Sequence, residues 1–200
     1  MLYYLEKIFR KINKVICYLR GWVMFGKLIY VEKNVTIKGY KNIEIGNNCR
    51  IHNNSILDAS NGRISIGENT NIAHDVTIVA SNSNVKLGNN CYIGEYTQIA
   101  AYLNCDISIG NDTLIAPFNF IISSNHGIER SDLIRHQKGF GYPIKIEEDV
   151  WISAKCTILA GSVIKRGSVV GANSLVNRKT KTKEYGIFVG NPAKLKAERV

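Results

Sequence analysis

Aliphatic residues recur along most of this chain with a period of six. Ile45-Gly46, Ile66-Gly67, Leu87-Gly88 and Ile109-Gly110 follow one another at intervals of 21, 21 and 22 residues. Further hexads begin between them at Ile51, Ile72, Ile78, Ile93, Ile99 and Ile115. After one interruption the count resumes strictly at six, through Ile146, Ile152, Ile158, Ile164, Val170 and Val176. A helix repeats its apolar face about every 3.6 residues and a half-buried strand about every two, so neither produces this pattern. The fifth place of each hexad is small or β-branched: Cys49, Ser55, Thr70, Val76, Cys91, Thr97, Thr113, Val150, Cys156, Ser162, Ser168 and Ser174. The pattern predicts an all-β fold, a parallel β-helix of triangular section with three hexads per coil. Each aliphatic start points into the prism, and the small residue fits near a corner, where Gly or Asn supplies unusual backbone angles. Intervals above 18 predict small corner loops, at Asn61-Gly62-Arg63 and around 102–106.

Composition narrows the reading further. Of 200 residues, 45% are hydrophobic and 21% charged, a globular balance that sets aside disorder and collagen. The odd count of five cysteines, without paired spacing, predicts free thiols in a reducing compartment. Cys49, Cys91 and Cys156 fall in the small-residue slot, where packing explains them. The net charge of +10 resides at the two ends. Residues 1–30 hold six Lys/Arg and one acid, residues 177–200 hold seven and two, and residues 31–176 balance at 13 and 13. A nucleic-acid reader carries charge across a folded surface, so that class is not expected.

Residues 1–30 form a basic amphipathic segment. Leu2, Leu5, Ile8, Phe9, Ile12, Val15, Ile16, Leu19 and Val23 have helical spacing, with Lys7, Arg10, Lys11 and Lys14 largely opposite. No apolar run reaches the roughly 20 residues of a membrane span, and no secretory cleavage pattern is present. Two readings stand. The helix lies on an anionic membrane surface, which Trp22 and the Tyr3/Tyr4 pair suit, or it packs on its own domain or a neighbouring subunit.

The repeat breaks between Ile122 and Ile144. This excursion (123–145) begins Ser123-Ser124-Asn125-His126-Gly127, continues through Glu129, Arg130, Asp132, Arg135 and His136, and returns at Pro143. A loop of about twenty residues in a continuous solenoid is functional more often than idle. Histidine is the natural general base near neutral pH.

With Pro143-Ile144-Lys145-Ile146 leading into Asp149-Val150-Trp151-Ile152, then Ile158-Leu159-Ala160-Gly161, Gly171-Ala172-Asn173-Ser174 and Gly190-Asn191-Pro192-Ala193-Lys194, residues 31–196 resemble the hexapeptide-repeat acetyltransferases. Within them the chain is similar to the maltose/galactoside acetyltransferase branch and the polysaccharide O-acetyltransferases. The resemblance implies a left-handed β-helix, a homotrimer and acetyl-CoA as donor. It implies His126 as the base for direct transfer to an acceptor hydroxyl, oriented by an acid for which Glu129 and Asp132 are within reach. It places the oxyanion donor at the Ala154 amide, with Ser153 standing where glycine is usual, and Trp151 beside the pantetheine channel. The arm runs near Ala172, and Arg178, Lys179 and Lys194 match the phosphate-binding positions. Asn125, Tyr96, Thr97, Tyr102 and Asn104 are candidates for sugar contact. The maltose/galactoside members carry an Asn near Thr97 and an N-terminal acceptor-binding domain. Neither is matched here, which moves the expected acceptor toward a surface-polysaccharide or lipid-linked sugar.

Two related chemistries and one non-enzymatic role stay open. N-acetylation of an amino sugar would use the same base and donor. A zinc site of the γ-carbonic-anhydrase type needs three histidines with a close pair, which His52, His74, His126 and His136 do not offer, so no metal is expected. A scaffold subunit would have no use for Asn125-His126 at the loop start. The expected location is cytoplasmic, on the inner membrane face if residues 1–27 bind lipid.

Overall fold

The computed structural model describes residues 2–200. Met1 and the side chains of Leu2, Tyr3 and Tyr4 lie outside the described residues. Short parallel strands stack into a left-handed β-helix of about eight coils. The first face consists of Tyr30–Val31, Arg50–Ile51, Asn71–Ile72, Tyr92–Ile93, Leu114–Ile115, Trp151–Ile152, Val169–Val170 and Gly186–Gly190. Register along it runs Tyr30, Arg50, Asn71, Tyr92, Leu114, Trp151, Val169, Ile187. The steps are therefore 20, 21, 21, 22, 37, 18 and 18 residues, and the long one contains the excursion. The second face pairs Ile56 with Thr77, Gln98, Phe120 and Thr157, and the third pairs Ile64 with Val85, Ile107 and Ile144.

The hexad starts form inward columns. On the first face Val31, Ile51, Ile72, Ile93, Ile115, Ile152 and Val170 are buried one above another, and Phe188 closes the column with a larger ring. The small residue before each strand does more than fit. Ser55 Oγ donates to Ala73 O at 2.8 Å, Thr70 Oγ1 to Gly88 O at 2.9 Å, and the Cys49, Cys91 and Cys156 thiols to Gly67, Gly110 and Gly171 carbonyls at 2.9, 3.2 and 3.1 Å. Each side chain thus satisfies a corner carbonyl of the next coil. Burial pushes these three thiols up, which keeps them protonated and inert.

The corner before the first face is turned by left-handed residues. Asn48, Asn69, Asn90 and Asp112 have φ of 57, 55, 57 and 56°, a region Asn and Asp tolerate better than most. Their side chains also form a ladder, Asn48 to Asn69 at 3.2 Å, Asn69 to Asn90 at 3.2 Å and Asn90 to Asp112 at 2.9 Å. Beside them the coils run so close that a Cβ on Gly88 would lie 2.6 Å from Asn111 N.

One slot holds a larger residue. Asn119 is buried, its Nδ2 donating to Ala116 O at 2.6 Å and its Oδ1 accepting from Cys156 N at 2.8 Å. That second bond ties the coil before the excursion to the coil after it. Asn119→Ala orphans the buried Cys156 N–H and is expected to cost about 1–3 kcal/mol, measurable by urea denaturation.

Helix α1 (Leu2–Phe25) precedes the first coil. It packs through Cys17 and Gly21, where a Cβ on Gly21 would fall 2.0 Å from Ile29 O, and through a Tyr18–Tyr30 ring contact of 5.6 Å. At the other end Ala193–Glu198 returns antiparallel along Gly186–Gly190.

Candidate active site

The excursion leaves the corner between the second and third faces as a short hairpin. Ser124–His126 pairs antiparallel with Gly139–Gly141, His126 opposite Gly139. Its base is tied down by buried Ser123, whose N–H reaches Ala100 O at 3.2 Å and whose Oγ accepts from Tyr102 N at 3.0 Å. Gln137, which sequence reasoning passed over, organises the loop tip. Its Nε2 donates to Glu129 O and Asp132 O at 2.7 and 2.8 Å, and its Oε1 accepts from Glu129 N at 2.7 Å.

His126 is exposed, with Nδ1 3.1 Å from Gly127 O. A carbonyl only accepts, so this contact assigns the proton to Nδ1 and leaves the Nε2 lone pair open toward solvent. The expected acidic partner is replaced by this carbonyl. Asp132 instead faces His136 at 3.5 Å and accepts from Leu133 N, and the hydrogen bonds at Glu129 come from its backbone. His136 also meets Arg135 Nε at 3.2 Å, away from His126.

The candidates divide between two edges of the prism. Exposed Asn125 and Asn104 and half-buried Tyr102 share the His126 edge. Arg178 lies farther along it, its guanidinium 4.6 Å above the Tyr142 ring, a cation–π contact that fixes the arm. Lys179 and Lys194 come together with Lys181 around a groove of about 340 Å³. Two other C-terminal cations are already paired, Lys183 with Glu198 and Arg199 with Asp149.

The other edge, between the first and second faces, carries Tyr96, Thr97, Ser153, Ala154 and Ala172, with Trp151 half-exposed on the adjoining strand. Tyr96 stacks on Phe118 at 4.9 Å and 11°, and His74 meets it edge-on at 5.5 Å. Phe118 went unnoticed in the sequence because its 22-residue spacing from Tyr96 is visible only once the coils are in register. Thr97 corrects an expectation. It is fully buried, its hydroxyl donating to Ala116 O at 3.2 Å, because it occupies the small-residue slot and cannot touch a sugar.

Ala154 is half-buried between two amides with fixed partners, Ser153 N on Val170 O at 2.9 Å and Lys155 N on Pro117 O at 3.1 Å. The second residue of each turn on this edge has no N–H bonded to a backbone carbonyl of the neighbouring coil. At Asn53 the amide is taken by Glu32 at 3.0 Å, and Pro117 has none. At His74, Glu95, Ala154 and Ala172, among the described residues, it is left without a partner. Spare donors therefore line this edge, with those of Ala154 and Ala172 one coil apart. No described hydrogen bond or ring contact joins the His126 loop to this edge, and five residues of extended chain, roughly 16 Å, separate corners within a coil.

Residues 143–178 match the family described as bacterial transferase hexapeptide (six repeats), and residues 33–59 match the hexapeptide repeat of succinyl-transferase. Two stretches of the chain are therefore similar to hexapeptide repeats known from transferases. Over 116 residues this hexapeptide-repeat chain is 32% identical to a putative lipopolysaccharide biosynthesis O-acetyl transferase, WbbJ, of Escherichia coli, covering 52% of this chain and 55% of that protein. Over 108 residues it is 34% identical to a probable acetyltransferase of Mycobacterium tuberculosis, covering 54% and 35%. It thus spans about half or less of the length of these relatives. The fold is shared with AntD, an N-acyltransferase from Bacillus cereus solved with dTDP and 3-hydroxybutyryl-CoA. The TM-score is 0.64 at 20% identity, over 86% of this chain and 80% of that one.

Proposed function

We propose that this protein is an acetyl-CoA-dependent O-acetyltransferase that modifies a sugar hydroxyl in surface-polysaccharide synthesis. It works as a homotrimer whose sites combine His126 of one protomer with the Ala154 edge of the next. The observation that carries this reading is the separation just described, an open Nε2 on one edge and spare amides, that of Ala154 among them, on another. The excursion also exposes Ile128, Leu133 and Ile134, and the facing edge exposes Tyr96, Phe118 and Trp151. Apolar patches on different edges suit a head-to-tail contact, which a threefold closes.

Acetyl-CoA supplies an activated acetyl group as its thioester. The chain's residues do the rest. His126 Nε2 accepts the proton of the attacking hydroxyl, while the Gly127 carbonyl holds the ring and stabilises the imidazolium as it forms. The Ala154 N–H faces the oxygen on which charge develops, at no reorganisation cost because its neighbours are bonded in place. Lys179, Lys181 and Lys194 offer three cations to the phosphates of the donor, with Arg178 held nearby on Tyr142. Asn125 and Asn104, beside the base, offer hydrogen bonds to the acceptor.

The test is acceptor-dependent thiol release from acetyl-CoA against free sugars, lipid-linked saccharides and amino sugars. Turnover with a hydroxyl acceptor supports the proposal. Turnover confined to amino sugars replaces it with N-acetylation, and absence of both turnover and CoA binding by calorimetry overturns it in favour of a scaffold.

A further inference from the structure

Helix α1 presents its apolar side away from the body it is attached to. Residues 5–16 are all exposed, and contact with the first coil is made by Cys17 and Gly21, with Tyr18, Met24 and Phe25 partly covered. Nine large apolar side chains of α1, among them Leu5, Ile8, Ile12, Val15, Leu19 and Trp22, remain 38–76% exposed. At about 100° per residue these nine occupy an arc of about 140°, and Cys17 and Gly21 sit on the opposite side of the helix. Packing on its own domain therefore leaves the whole apolar stripe unpartnered. Among the described residues no helix is long and apolar enough to cross a membrane.

We infer that α1 docks the protein on an anionic lipid surface, its apolar stripe in the acyl boundary and its cations among the headgroups. Charge selects this occupant over a second copy of the helix. Residues 1–30 hold six Lys/Arg and one acid, and that acid, Glu6, is already paired with Arg10 at 2.9 Å. Lys11 and Arg20 border the two sides of the stripe, where an interfacial helix places its cations. Two such helices face to face would set cation against cation with no acid to relieve them. The stripe is also broader than the two-in-seven seam of a coiled coil. An anionic surface answers both the charge and the width. The inference stands apart from the catalytic reading, since it uses none of the same residues.

The full-length protein is sedimented with vesicles of phosphatidylcholine alone or with about a third phosphatidylglycerol, at low and high salt. The same is done for Ile8→Glu/Ile12→Glu/Val15→Glu and for Lys11→Glu/Arg20→Glu. The expected result is binding to the anionic vesicles at least tenfold stronger than to neutral ones, weakened by salt, and reduced at least tenfold in both variants. Circular dichroism and thermal melts confirm that the β-helix of each variant is intact. Equal binding of wild type and variants, or no binding to either vesicle, overturns the inference. So does a change of oligomeric state in the triple variant without lipid, which would assign the stripe to another copy of the chain.

Discussion

His126→Ala is expected to lower acceptor-dependent acetyl transfer by about 10²–10⁴-fold while leaving CoA binding within about twofold of wild type. The ring is exposed, and its one described hydrogen bond goes to the carbonyl of the next residue, so its removal creates no cavity and orphans no buried group. Stability should therefore be unchanged, and the loss should appear in turnover. Donor affinity should persist, because Arg178, Lys179 and Lys194 lie on other coils. His136→Ala is the control. That imidazole is engaged with Asp132 and Arg135, and its loss should change the rate by less than about threefold. Thiol release with the best acceptor, alongside calorimetry with CoA, measures all three. Full activity in His126→Ala would remove the residue from the mechanism.

Ala154→Pro is the second large effect, and here the fold supplies its own control. Pro117 occupies the equivalent place one coil earlier, since Ile115 is in register with Ile152. The corner therefore accommodates a proline, and the substitution deletes one amide hydrogen that has no partner in the protein. Loss of an oxyanion donor should slow transfer by about 10²–10³-fold with little change in thermal stability. Because His126 and Ala154 stand on different edges, chains carrying one lesion each should rescue one another. Random co-assembly of equal amounts of His126→Ala and Ala154→Pro chains in a closed threefold ring leaves about one quarter of the sites with both groups intact. Recovery to about that level supports a site shared between protomers. No recovery from mixed assemblies would place both groups within one chain.

Much of this architecture was legible in the period of six, because a column of inward aliphatics is a one-dimensional pattern that the chain must repeat to build each coil. The recurrence of Cys, Ser and Thr beside it was legible only as smallness. That these side chains also donate to the next coil's carbonyl depends on a partner 14–19 residues away, and Asn119, whose size hid it from that series, accepts from Cys156 N 37 residues on. The excursion was visible as a break in the count, with His126 at its start. What orients that histidine was not, since a backbone carbonyl leaves no mark in a sequence while Glu129 and Asp132 do. Thr97 failed as a sugar contact for a reason already present in its hexad position. The division of the candidates between two edges needed the coil registers, which the 37-residue step obscures.

A parallel β-helix ends in open rows of backbone donors and acceptors, and such a row invites another chain to continue it. In this protein the last coil turns its final strand back on itself. Ala193–Glu198 runs antiparallel to Gly186–Gly190, so an incoming parallel coil finds the wrong polarity there. Its outward side chains include Lys194, Lys196 and Glu198, and Thr182 Oγ1 caps the Val163 carbonyl at 2.6 Å where the third face stops. At the opposite end α1 packs against Tyr30–Val31, the first strand of the same face. End-to-end stacking into fibres is therefore opposed along the first face at both ends.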